Sequence, residues 1–125
     1  MLFKSASPNS LWEQFVYVSL RKHKDSSTTI TSKTSKFFWK HQTGYRSKIR
    51  PDIVVNKDKD NCVVLDTKWK NLNGHNPSPD DLRQMYVYLE YYGAKRVALV
   101  YPGVESIKTG GTYLHPKTSK ETDKE

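Results

Sequence analysis

Arg50-Pro-Asp-Ile-Val-Val-Asn-Lys-Asp-Lys-Asp-Asn-Cys-Val-Val-Leu-Asp-Thr-Lys-Trp-Lys70 sets two short apolar runs around six polar residues, Asn56 to Asn61. Both runs are rich in Val, Ile and Leu, and the residues between them have turn chemistry, so the stretch predicts a β-hairpin. The charges lie at its open end: Asp52 opens the first strand, and Asp66 and Lys68 close the second. Antiparallel pairing puts the start of one strand beside the end of the other. The two-residue period of a strand puts Asp66 and Lys68 on one face. The hairpin thus gathers two carboxylates and an ammonium in a small volume, a candidate site for a divalent metal and a phosphate.

Working outward, Asn71 to Pro79 reads as a loop by Gly74, Pro77 and Pro79. Ser78 or Asp80 caps a helix that runs to about Tyr92, with Leu82, Met85, Leu89 and Tyr92 spaced to face a core. Gln84 and Tyr88, four apart, share another strip of its surface. Gly93 ends it. Arg96 to Tyr101 is a buried strand stopped by Pro102-Gly103. A helix joins it to the hairpin, so it is expected to lie parallel to the strand ending at Lys68. Thr112 to His115 is a candidate edge strand, and residues 116–125 read as a disordered tail.

Upstream, residues 1–7 read as a leader. A helix starts at Ser7-Pro8 or Ser10 and runs to about His23, with Leu11, Trp12, Phe15, Val18 and Ser19 as one stripe. Glu13 sits at the edge of that stripe. Ser10-x-x-Glu13 matches a capping box; a third carboxylate facing the hairpin is the other reading, and the residues alone leave both open. Asp25 to Ser35 reads as a loop with a weak strand around Ile30, and Lys36-Phe-Phe-Trp-Lys40 as a short aromatic strand. His41 to Lys48 is a connection or a second strand edge whose basic residues can meet phosphates. The expected architecture is α/β: a mixed sheet of about four strands, in the order helix-strand-strand-strand-helix-strand.

Composition bounds the rest. A chain of 125 residues makes one domain, and 35% hydrophobic residues allow a small core with long polar edges. Lys and Arg exceed Asp and Glu by 21 − 13 = 8. Such an excess points to a polyanion, nucleic acid first, although a solvated basic surface gives the same count. The single cysteine, Cys62, excludes an internal disulfide and reads as a buried small hydrophobe in a reducing compartment. Without a long apolar run or a secretory segment, a soluble cytoplasmic protein with no membrane association is expected.

Asp66-x-Lys68 alone is a weak signal among 13 acids and 16 lysines. Its place at the end of an apolar strand, 14 residues after Asp52, makes the joint pattern specific. Phosphodiester cleavage needs a neutralised phosphate and a deprotonated water. Mg²⁺ takes oxygen ligands, which Asp52 and Asp66 supply, and Lys68 can position the water or stabilise developing charge. The four histidines lack zinc spacing, and Gly110-Gly111 is not followed by the Gly-Lys-Ser/Thr of a phosphate loop.

This pattern resembles the PD-(D/E)xK nuclease superfamily, and Gln84-x-x-x-Tyr88 resembles the QxxxY motif of one of its branches. Five segments in order resemble the nuclease domain of McrC, the cleavage subunit of modification-dependent restriction systems. They are Leu-Trp-Glu-Gln-Phe-Val (11–16), Arg-Pro-Asp-Ile-Val-Val (50–55), Leu-Asp-Thr-Lys-Trp-Lys (65–70), Asp-Leu-Arg-Gln-Met-Tyr-Val-Tyr (81–88) and Val-Ala-Leu-Val-Tyr-Pro (97–102). The resemblance implies a restriction-endonuclease-like core over residues 8–115 and a DNA endonuclease using Mg²⁺ or Mn²⁺. It implies Glu13, Asp52, Asp66 and Lys68 as the active site. Glu13, Asp52, Asp66 and the Thr67 carbonyl would hold metal, and Gln84 and Tyr88 would lie near the site against DNA. Lys40, Arg46, Lys48, Arg50, Lys70 and Arg83 are the residues expected to hold the backbone.

McrC proteins also carry an N-terminal region that docks on a GTP-driven McrB motor ring, so an McrB-like GTPase is the implied partner. This sequence has no counterpart of that region, and a fragment, a separate nuclease subunit and a decayed copy all stand as readings. Two alternative functions stand beside the endonuclease: a non-cleaving nucleic-acid-binding or assembly module on the same fold, and a repair or junction-resolving nuclease.

Overall fold

The computed structural model describes residues 7–70, 77–103 and 109–125. Residues 1–6 of the expected leader, residues 71–76 of the expected loop after Lys70, and residues 104–108 lie outside the described residues. Two helices begin in the same way. In α1 (Pro8–His23) the Ser7 hydroxyl accepts from the Ser10 N–H at 3.2 Å; in α2 (Pro79–Tyr91) the Ser78 hydroxyl accepts from the Asp81 N–H at 3.1 Å. A proline follows each cap, where its missing N–H costs nothing. Because α1 is capped by Ser7, Ser10-x-x-Glu13 is no capping box, and the Glu13 side chain is left for another use. Asp80 and Asp81 lie in the first turn of α2, where the helix dipole favours negative charge. At its other end Gly93 takes a left-handed φ of 62°, the Ala94 N–H bonds the Leu89 carbonyl at 2.9 Å and the Gly93 N–H bonds that of Glu90 at 3.3 Å. That pair of bonds satisfies carbonyls that the helix leaves open.

Six strands are present among the described residues: β1 (Ile30–Ser32), β2 (Lys36–Lys40), β3 (Arg46–Ile49), β4 (Ile53–Val55), β5 (Val63–Thr67) and β6 (Arg96–Val100). Four form the main sheet in the order β1-β4-β5-β6, with β4 antiparallel to both β1 and β5 and β6 parallel to β5. The expected mixed sheet of four strands, its hairpin and its parallel return through a helix are all there. The identity of one strand differs. The aromatic segment Lys36–Lys40 pairs with β3 in a separate two-stranded sheet, and Ile30–Ser32 takes the edge beside β4. Asn56 supplies the reason. Buried, with φ at 53°, it accepts from the Thr29 N–H on its side-chain oxygen at 3.0 Å and donates its own N–H to the Thr29 carbonyl at 2.9 Å. It thereby clips the chain entering β1 to the end of β4.

The sheet has unequal faces. Val54, Val64, Val97 and Leu99 face α2 and pack with Cys62, Met85, Tyr88, Tyr92 and Ala94. Met85 and Leu89 are fully buried, whereas Leu82, spaced like them, is 40% exposed. Neighbouring strand residues point to opposite faces, so Val55 and Val100 line a groove on the other side, beside Trp12, Phe15 and Val16 of α1. Only Val16 of α1 is buried, and Leu11, Phe15 and Val18 of the expected stripe are exposed. Among the described residues α1 is the one helix on this face, so its apolar side chains have neighbours on one flank alone.

Residues 116–125, expected to be disordered, fold back along the free edge of β6. The Val97 N–H bonds the Glu125 carbonyl at 2.7 Å and the Glu125 N–H bonds that of Lys95 at 2.9 Å. Arg96 pairs with Glu125 at 2.8 Å, Lys95 with Asp123 at 3.5 Å, and Lys124 with Glu90. Charges that composition counts as solvated meet complements on β6 and α2. The expected edge strand at 112–115 reduces to a single bridge, Leu114 with Glu121. No described helix is long and apolar enough to cross a membrane.

Candidate active site

The register that pairs Ile53 with Leu65 places Asp52, one step before β4, beside Asp66 of β5. Thr67 fixes Asp52: its N–H and its hydroxyl both donate to Asp52 Oδ2, at 2.7 and 2.8 Å. Lys68, two residues past Asp66 and on the same face, places Nζ 3.0 Å from Asp66 Oδ2 and 3.6 Å from Asp81 Oδ1. It also donates to Gln84 Oε1 at 3.1 Å. From there a relay runs inward. Gln84 Nε2 donates to the Tyr88 hydroxyl at 3.0 Å, which donates to the Arg50 carbonyl at 3.4 Å. One turn of α2 therefore ties the ammonium to the entry of β4.

Glu13 arrives from α1, which is pinned to the ends of β5 and β6. The Trp12 indole N–H donates to the Val100 carbonyl at 3.0 Å, and Asn9 Oδ1 accepts from the Trp69 N–H at 3.2 Å. The same Val100 carbonyl accepts from the Lys68 N–H at 3.0 Å. The result is a pocket of about 300 Å³ lined by Asn9, Glu13, Arg50, Asp52, Asp66, Thr67, Lys68, Gln84 and Tyr88.

The charges in this pocket are unbalanced. Burial, then the neighbouring Asp52 carboxylate, push the Asp66 carboxyl up to about 7, and Lys68 only partly opposes them. Burial and the charge of Asp52 likewise raise Glu13. Burial pulls Lys68 down, but its bond to Asp66 and the charges of Asp66 and Asp81 outweigh that and hold it above its ordinary value. Tyr88 is pushed up to about 12 by burial and by Asp66, so it stays a neutral hydroxyl. Among the described residues no three His, Cys, Asp or Glu side chains form a ready-made metal cluster. Asp52 and Asp66 are the two carboxylates the register sets against each other, a donor pair of the kind that can hold Mg²⁺ together with water and phosphate.

The sign of the Asp66 shift gives a stability prediction for protein in chelator. The ordinary value is 3.8 and the folded value about 7, so folding takes up a proton between them. The contribution of Asp66 is full below the ordinary value and is lost as pH rises through 7. Melting wild type and Asp66→Asn from about pH 5 to pH 8 is expected to show the Asn variant gaining on wild type as pH rises. A constant difference between the two would contradict the buried, opposed placement of Asp66.

Of the residues singled out from sequence, Glu13, Arg50, Asp52, Asp66, Thr67, Lys68, Gln84 and Tyr88 meet in this pocket. Tyr88 does so from inside: it is 4% exposed, and its hydroxyl is engaged with Gln84 and Arg50, a position for orienting Lys68 and not for touching DNA. Lys70 and Arg83 are outside the pocket and engaged in ion pairs with Asp81 and Asp80, each at 2.7 Å. Lys40, Arg46 and Lys48 lie on β2 and β3, also outside it. Two contributors were not singled out. Asp81 reads as an ordinary first-turn acid, and Asn9 carries no spacing signal; only the tertiary fold gives them their partners.

The family described as McrBC 5-methylcytosine restriction system component matches residues 6–102. No curated protein matches. Among solved structures, a chain in the assembly of Thermococcus gammatolerans McrB AAA+ hexamers with bound McrC superposes with a TM-score of 0.64 at 24% identity, over 90% of this chain and 26% of that one. The crystal structure of SSO0001 gives a TM-score of 0.53 at 18% identity, over 77% of this chain and 48% of that one. The chain thus spans about a quarter and about half of the lengths of these two structures, and at these identities the likeness is one of fold.

Proposed function

This chain belongs to the McrBC 5-methylcytosine restriction system component family, and we propose that within it the chain is a metal-dependent DNA endonuclease that hydrolyses phosphodiester bonds. The observation that carries the reading is the convergence of Asp52, Asp66 and Lys68 with Glu13 in one pocket. Two opposed carboxylates against one ammonium are a donor set short of positive charge, which suits a divalent cation. Asp52 and Asp66 would hold Mg²⁺ or Mn²⁺, with the Thr67 carbonyl as a further ligand; Glu13 lines the same pocket and would reach the ion only through its water shell. When bound, the ion supplies Lewis-acid chemistry at the phosphoryl oxygens.

The protein's own groups divide the remaining work. Thr67 locks Asp52 in place. Lys68, held by Asp66, Gln84 and Asp81, presents a fixed ammonium to the charge that grows on the phosphate and orients the attacking water. Gln84 and Tyr88 set the direction of Lys68. Arg50, at the pocket wall, neutralises an adjacent phosphate, and the basic residues of β2 and β3 extend the grip on the backbone. An McrB-like motor is the proposed partner, by likeness to the assembly of McrB with bound McrC.

The test is supercoiled plasmid incubated with the protein and Mg²⁺ or Mn²⁺, against the same mixture in chelator. Nicking or linearisation that requires the metal is expected. A folded protein that binds DNA, takes up no divalent ion and cuts nothing would instead be a non-cleaving module on this fold.

A further inference from the structure

Lys68 faces two acids carried by two different elements. Its ammonium lies 3.0 Å from Asp66 Oδ2 on β5 and 3.6 Å from Asp81 Oδ1 in the first turn of α2. Gln84 Oε1, one turn further along the same helix, accepts from it at 3.1 Å. Asp66 is buried, and the Lys68 and Asp81 side chains are only 23% and 14% exposed. Charges so placed are screened by salt much less than charges at an open surface.

The two acids stand differently toward the pocket. Asp66 and Lys68 line it, and Asp81 does not. Asp81 is nonetheless firmly seated. Its N–H donates to the Ser78 hydroxyl that caps α2, and its Oδ2 accepts from Lys70 at 2.7 Å, which leaves Oδ1 turned to Lys68. Under the nuclease reading, on which this inference rests, Asp66 holds a divalent ion. Whichever of its oxygens does so, the ammonium and the ion draw on one carboxylate and repel each other. A lysine whose only acid was Asp66 would hold that acid against the ion. Gln84 can accept from the ammonium but carries no charge to offset it. Asp81 supplies the charge, from outside the pocket.

We propose that Asp81 is a positioning residue for Lys68: it keeps the ammonium in place when Asp66 turns to the ion, and so sets how readily the pocket takes up a divalent cation. Two plainer roles are open to an acid at this position. It can complement the dipole of α2, or it can attract the ion by its charge alone. Neither depends on Lys68, and the test turns on that difference.

Mn²⁺ uptake by the full chain without DNA, followed by electron paramagnetic resonance of the free ion, is the measurement. Asp81→Asn keeps the shape and loses the charge, and is expected to weaken uptake about fivefold or more. Asp81→Glu keeps the charge and is expected to recover most of that loss. Lys68→Ala, freed of the competing ammonium, is expected to bind Mn²⁺ more tightly than wild type. Adding Asp81→Asn to Lys68→Ala is expected to change uptake by less than about twofold, because the residue through which Asp81 acts is gone. An Asp81→Asn protein that binds Mn²⁺ as wild type does overturns the role. So does an equal loss with and without Lys68, which would mean that Asp81 acts on the ion directly. Should Asp81→Asn fail to fold, Lys68→Ala decides by itself: uptake no tighter than wild type removes the competition that the role requires. With Mn²⁺ uptake and metal-dependent nicking by wild type intact, each of these results leaves the nuclease standing; a folded wild type that takes up no Mn²⁺ overturns both.

Discussion

Asp66→Ala and Lys68→Ala are each expected to lower metal-dependent plasmid cleavage by about a thousandfold or more while the protein stays folded. The two variants fail for different reasons. Asp66→Ala removes the buried carboxylate that opposes Asp52, and with it half of the donor pair. Burial already penalises that carboxylate, so its loss is not expected to unfold the chain. Lys68→Ala keeps both carboxylates and removes the one ammonium within 3.0 Å of Asp66, leaving the phosphate charge without its fixed donor. Lys68→Arg is not expected to restore activity, because a planar guanidinium cannot replace a point charge held between Asp66, Gln84 and Asp81. Cleavage rates, read beside circular dichroism and a Mg²⁺ titration, check these outcomes. Wild-type cutting by the Asp66→Ala protein would sink the assignment.

The largest expected effect on stability is that of Met85→Ala. Met85 is fully buried between α2 and the strands carrying Val54 and Val64. Emptying such a site costs about 2–5 kcal/mol, which lowers the melting temperature of a small domain by about 10–30 °C. Leu82→Ala, one turn earlier at a position 40% exposed, should cost under about 1 kcal/mol. Urea unfolding of both variants makes the comparison. A Met85→Ala protein as stable as wild type would mean that α2 does not pack on this face, and Gln84 and Tyr88 would then have no reason to meet Lys68.

The hairpin of β4 and β5 was legible because its signals are local: apolar runs, turn residues between them, and charges at one end. The same locality made Asp52, Asp66 and Lys68 legible as a group. The parallel placement of β6 followed from the helix that intervenes. The edge strand β1 was not legible in the same way. Ile30-Thr-Ser is too short and too polar to declare itself, and its place is set by Asn56, which looks like any other turn residue. Lys36–Lys40 was readable as a strand, but its partner lies just across a tight turn and not in the main sheet. Helical spacing named Leu11, Phe15 and Val18 as one stripe, and periodicity reports which residues share a face, not whether anything covers it. Tyr88 shows the converse: off the chosen stripe, it is nonetheless buried, because the sheet is broad enough to cover more of α2 than one row.

The Val100 carbonyl accepts from both the Lys68 N–H and the Trp12 indole, and this has a bearing on when the site comes into being. Val100 closes β6, so the loop that seats Lys68 and the helix that delivers Glu13 share an anchor from late in the chain. A growing polypeptide that has emerged only as far as β5 holds Asp52 and Asp66, yet it lacks α2, β6 and the acceptor that fastens the other two walls. Contacts so distant in sequence form late, since a long loop must close before any of them is gained. The pocket is therefore assembled near the end of folding, and a half-made chain has the two carboxylates without the arrangement that gathers them.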